Sequence, residues 1–164
     1  MNIFVLELDV EKCARYHADQ HVVMMILESA LMLCTVLDDH GIDTPYRATH
    51  RHHPCTRWTG ESLNNWKWLK ALALCLNQEY RWRYQRKVDH KSAVIINELP
   101  LPPIEAKGLT EFAQAMPHEY KVTDDAVRAY RNYYISEKAA FATWTRREMP
   151  QWFIEGLKMK LEQL

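Results

Sequence analysis

The run VEKCARYHADQHVVMMILESALMLCTVLDDH, residues 10–40, sets the architecture. Its apolar residues recur at steps of three and four instead of alternating, which is the period of an α-helix. Asp9 stands where a helix cap belongs, and Gly41 where the chain should leave the helix. One helix, or two with a break near Asp19, fits the pattern. At about 100° per residue, His17, His21, Met24 and Glu28 fall on one narrow arc. Titratable side chains thus line up within the otherwise apolar stretch from Val22 to Leu33. A lone carboxylate buried there is unfavourable by several kcal/mol unless it is paired. Glu28 therefore calls for a partner: a histidine, an arginine or a metal.

Outward from this run, residues 2–8 read as a short extended segment. Residues 44–59 read as a loop, with Pro45, Pro54 and the crowded string His50-Arg51-His52-His53-Pro54-Cys55. A second long helix is expected over about 60–86, with Trp66, Leu69, Ala73, Leu76 and Tyr80 on its core face. A short helix follows near 91–98. Pro100, Pro102 and Pro103 interrupt regular structure, so 99–119 reads as a surface segment with a turn of helix near 110–115. Thr123 or Asp124 would cap a third long helix, 124–145, and Pro150 would open the last, 150–163. The expectation is a mainly α, single-domain fold over 1–164, with three to five helices and an extended N-terminal segment.

Composition agrees. Of 164 residues, 48% are hydrophobic and 26% charged, and only four are glycine, which favours helices over turn-rich sheets. The unbroken apolar runs Val22–Leu27 and Ala71–Leu76 are closed by Glu28 and Asn77, too short to cross a membrane. No secretion leader is expected. Cys13, Cys34, Cys55 and Cys75 never form a C-x-x-C pair, which argues against a zinc ribbon or redox motif and for reduced thiols in a cytoplasm. Net charge is zero but unevenly spread: −6 over residues 1–44, +7 over 45–91 and −1 over 92–164. The basic middle could meet an anion or nucleic acid, or it could pair with the acidic first third.

Three features carry candidate chemistry. Glu28, with His21 and His17 on the same face, suits a catalytic carboxylate beside imidazoles. The loop carrying His53, Arg47, Arg51 and Arg57 suits a phosphate clamp, or could complete a divalent-metal site with His17 and His21. Tyr80 to Lys87 mixes rings and cations in the manner of a nucleic-acid surface, although helix geometry turns Trp82 away from Tyr80 and Tyr84. Further on, Tyr130, Tyr134, Lys138 and Phe141 form one line, and Lys138 does not belong in a core.

These residues carry a resemblance. Asp19-Gln20-His21 followed by Glu28 resembles the first active-site helix of the pyrimidine-dimer DNA glycosylase/AP-lyase family, the phage endonuclease V type. The tail Lys138, Trp144 and Pro150-Gln151-Trp152 is loosely similar to that family's end. The strings Tyr16–His21, His53–Cys55, Ala115–Pro117 and Pro150–Phe153 are similar to those of short phage proteins often grouped with it. The resemblance implies a compact helical fold, a DNA substrate, and attack of an amine on sugar carbon C1′ with a glutamate assisting strand cleavage. Carried over, Glu28 would be that glutamate and His21 its neighbour. The family's amine is freed at residue two. Here Asn2 should keep Met1 in place, so the amine would be that of Met1. The family's arginines around the glutamate are replaced by Leu27, Ser29 and Ala30, so Arg47, Arg51 or Lys138 would supply charge.

The leading expectation is an enzyme acting on the glycosidic bond of a base in DNA or a nucleotide, needing no cofactor. Glu28, His21, His17 and Lys138 would be catalytic; Arg47, Arg51, His53 and Arg57 would hold phosphate; Trp58 or Trp152 would fill the gap of a flipped base. The alternatives are a metal-dependent hydrolase with His17, His21 and His53 as ligands, and a non-catalytic nucleic-acid-binding protein. The expected setting is the host cytoplasm.

Overall fold

In the computed structural model, which describes residues 1–164, the first helical run is two helices. Helix α1 (Val10–Tyr16) starts at Asp9, whose carboxylate accepts from the Lys12 N–H at 3.0 Å. His17 and Ala18 are extended, and α2 (Asp19–Asp39) begins after them. The break removes His17 from the face shared by His21, Met24 and Glu28. At the far end Gly41 takes a left-handed φ of 74°, and its N–H closes on the Asp38 carbonyl at 2.9 Å.

The next element corrects the expected loop. Helix α3 (Pro54–Glu61) begins inside it, with Pro54 in the first turn and the His53 side chain accepting from the Cys55 N–H at 3.1 Å. Proline interrupts a helix interior but is well placed at a helix start, where its missing N–H is not needed. Ser62 then ends α3 and caps α4 (Leu63–Arg83), so the second long helix starts later and stops sooner than expected. Helix α5 is Lys91–Glu98, as expected. No helical turn forms over 110–115; Thr110 is instead tied to Asn65, Glu61 and Trp58. A short 3₁₀ turn, His118–Tyr120, precedes α6 (Ala126–Tyr133), which is capped by Asp125. The expected third long helix ends early: α6 widens into a π turn over Tyr134–Lys138. Helix α7 is Gln151–Glu162. The fold is mainly α with no strand, and it has seven helices where three to five were expected.

The long helices α2 and α4 pack on each other, with α1 on α4 and with α3 and α5 against both. Ile26, Ala30, Leu33 and Leu37 of α2 meet Trp66, Leu69, Ala73 and Leu76 of α4 in one continuous core. Each such large side chain contributes about 1.5–3 kcal/mol on burial. Helix α2 is long and apolar enough, by length and composition, to cross a bilayer, but 67% of that stretch is buried inside the protein as a core helix. Ile3, Phe4, Val5 and Leu6 are buried against this core without joining a sheet. That burial fixes where the start of the chain lies.

Candidate active site

The chain's first residues are held from several sides. Asn2 Oδ1 lies 2.9 Å from the Tyr130 hydroxyl and accepts from the Ile3 N–H at 2.8 Å and the Cys55 thiol at 3.5 Å. Its amide nitrogen donates to the Ala115 carbonyl at 2.8 Å. The Thr56 hydroxyl reaches the Met1 sulfur at 3.8 Å. With Asn2 pinned between α3, α6 and residue 115, the backbone before it turns toward α2.

There it meets Glu28. The Asn2 N–H donates to Glu28 Oε2 at 3.1 Å, and the Met1 amine stands 3.8 Å from the same oxygen. The Met1 side chain is buried, while that of Glu28 keeps 21% of its surface in solvent. No arginine contacts the carboxylate. Its neighbours Met24 and Leu27 are exposed, so this stretch of α2 faces outward. The partner that an apolar helix demands for Glu28 is therefore the start of the chain itself. The chain's α-amino group and a partly solvent-exposed carboxylate thus lie side by side.

His53 belongs to this group. It is half-buried, and its pKa is lowered by burial and then by the Met1 ammonium and His50, with Glu28 acting in the opposite sense. Cys55, two residues on, is buried, and burial pushes its thiol up to about 11, against a nucleophilic role.

The other expected site residues are dispersed. His21 is buried, stacked on Phe4 at 4.3 Å, with Nδ1 2.5 Å from the Tyr134 hydroxyl. That hydroxyl also accepts from the Ala18 N–H at 3.2 Å, which ties the His21 ring to the start of α2. Burial first, then the charges of His17 and Lys138, lower its pKa to about 3. His17 is fully buried, bonded through Nδ1 to the Cys13 carbonyl at 2.7 Å, with Nε2 unpartnered. Its ring is sealed in the interior. Lys138 lies over the rings of Tyr133 and Phe141, with its charge acting on His21.

Of the phosphate-clamp residues, Arg47 and Arg57 are exposed, while Arg51 is committed to Asp38 and Asp39 at the end of α2. Trp58 cannot fill a gap in DNA. It is 2% exposed, stacked on Phe112 and bonded to the Thr110 carbonyl. Trp152 is half-buried under the Arg131 guanidinium and lines a cleft of about 800 Å³ between α6 and α7, which Glu28 does not line. The ligand set His17, His21 and His53 is not assembled, and no three His, Cys, Asp or Glu side chains gather to hold a metal ion.

Sequence reasoning missed two things. One is the clamp of Asn2, Cys55 and Tyr130, for which no local pattern exists. The other is a buried ionic network. Arg83, fully buried, donates to Asp19 at 3.0 Å, to Glu79 at 3.1 Å and to the carbonyls of His17 and Arg15, and Arg147 grips Glu79 from outside. Burial pushes the Asp19 pKa up, but hydrogen bonds from Thr145, Thr143 and Arg83 more than offset it and hold it low. The i, i+4 spacing of Glu79 and Arg83 was the available signal.

No family model, no curated protein and no solved structure matches this chain.

Proposed function

We propose that the protein acts on the glycosidic bond of a nucleotide unit in DNA, with the Met1 amine as nucleophile and Glu28 as proton carrier. The observation that carries this reading is the placement of that amine 3.8 Å from Glu28 Oε2, at a carboxylate still open to solvent. The likeness of Asp19-Gln20-His21 and Glu28 to a glycosylase/lyase helix points the same way.

The chemistry balances with these two groups. The Met1 ammonium first releases a proton to solvent; the free amine then bonds to C1′, and the base leaves with the electron pair of its bond to C1′ and is protonated by water. The nitrogen gives a proton to Glu28. The ring then opens: the nitrogen lone pair forms C=N, the C1′–O4′ pair moves to O4′, and Glu28 returns the proton there. Glu28 next removes a C2′ proton, and the 3′ phosphate leaves by elimination. Lys138 would contact the flanking strand, and Arg47 and Arg57 its phosphates.

The test uses untagged protein whose free Met1 amine is verified by intact mass. A duplex oligonucleotide with an aldehydic abasic site is added, followed by sodium borohydride. A covalent adduct mapping to Met1 is expected, and Glu28→Gln should slow its formation about 100-fold with the fold intact. No adduct, or one mapping to Lys138, would overturn the assignment.

A further inference from the structure

The imidazole of His53 has only one nitrogen to offer. Its Nδ1 accepts from the Cys55 N–H at 3.1 Å as the cap of α3, so that atom carries no proton. The neutral ring must then carry its proton on Nε2. Nε2 has no partner in the protein and is not among the sealed, unsatisfied polar atoms, so it is open to solvent. The same short element fixes the chain start. Cys55 and Thr56, in the first turn of α3, contact Asn2 and Met1. The Met1 ammonium and Glu28 are among the charges acting on His53.

We infer that His53 is a catalytic hydrogen-bond donor, presenting Nε2–H to sugar oxygen O4′ as the amine-bearing C1′ opens to the imine. This rests on the glycosidic reading of the site. The amine supplies the nucleophile and Glu28 carries the proton, and the oxygen on which charge collects still needs a donor set in place beforehand. A ring whose other nitrogen is committed to a helix cap meets that need. It cannot turn over to its other tautomer without releasing α3. No proton leaves His53: O4′ receives the one that the amine gave to Glu28. His53 is thus neither a general base nor a metal ligand here.

Two substitutions separate capping from donation. His53→Asn keeps a preferred cap, but its amide N–H stops short of the place Nε2–H occupies. His53→Gln extends an amide N–H toward the same place and cannot act as a base. Single-turnover borohydride trapping on the abasic duplex is measured for both, with thermal melting of each protein. His53→Asn should melt like the parent and trap about 100-fold more slowly. His53→Gln should recover at least about tenfold of that loss. Trapping by His53→Asn at the parental rate would overturn the inference, as would His53→Gln matching His53→Asn. In either case, a parent that traps and a Glu28→Gln variant that does not leave the glycosidic reading standing. A parent that forms no adduct ends both.

Discussion

A buried charge is tolerated when its partners are in place, and two residues show the two ways this chain meets that condition. Glu28 stays partly in water and takes its compensation from the Asn2 N–H and the Met1 amine. Arg83 is sealed and takes its compensation from Asp19, Glu79 and two carbonyls. The first arrangement leaves groups available to a substrate; the second leaves none. Arg83→Met should therefore damage stability. It strands two inward-facing carboxylates, each keeping only part of its bonding, and a loss of about 3–5 kcal/mol is expected. Urea unfolding at neutral pH measures it; a change below about 1 kcal/mol would contradict the structural role given to this residue.

Among the elements, α3 and α7 carry the most consequence. Helix α3 is eight residues long, yet it caps itself with His53, pins Asn2 through Cys55 and packs on α2. Helix α7 approaches the π turn through Gly156. A Cβ there would lie 2.8 Å from Ile135 Cγ1 and 3.3 Å from Cγ2. Ile135 is β-branched, so its χ1 has little freedom to carry both Cγ atoms out of the way. Gly156→Ala should thus lose more to overpacking, about 1–3 kcal/mol, than it gains in helix propensity, about 1 kcal/mol. The expected outcome is a lower melting temperature with earlier proteolysis in α7; a higher melting temperature would show that α7 sits more loosely than the structure has it.

For the whole molecule, the uneven charge along the chain is partly offset by pairing between its segments. Arg51 meets Asp38 and Asp39, and Arg83 meets Asp19, so the basic middle third partly neutralises the acidic first third. Acid should undo this fold in two stages. His17 is held neutral at about 4 and His21 at about 3, chiefly by burial. Both lie below the ordinary histidine value, so the unfolded chain binds protons first as pH falls through 6.5. Stability is full above about pH 6.5 and falls as pH drops toward 4, by about 1.4 kcal/mol per pH unit for each histidine. Asp19 and Glu79, held low by their hydrogen bonds and arginines despite burial, add a further loss below the usual carboxylate range. Urea midpoints from pH 7.5 to 4.5 measure the slope. His17→Gln should make the slope shallower, and an unchanged slope would mean that His17 is not the group being titrated.

The sequence alone determined the helical class, the core face of α4, helix α5 over 91–98, and Glu28 as the side chain an apolar helix would not hold without a partner. These follow from period and composition, which depend on neighbours three or four residues apart. Only the tertiary structure decided who the partner was. Met1 and Asn2 lie 27 and 26 positions from Glu28, and their place is fixed by Tyr130, Ala115 and Cys55, on segments that no local spacing relates. It also broke the helix at His17 and Ala18, which separates His17 from the helix carrying His21, and drew Trp58 into the core while leaving His53 half-buried. Helical period ranks faces within one helix. Which faces meet, and what the chain ends reach, depends on burying all of them together.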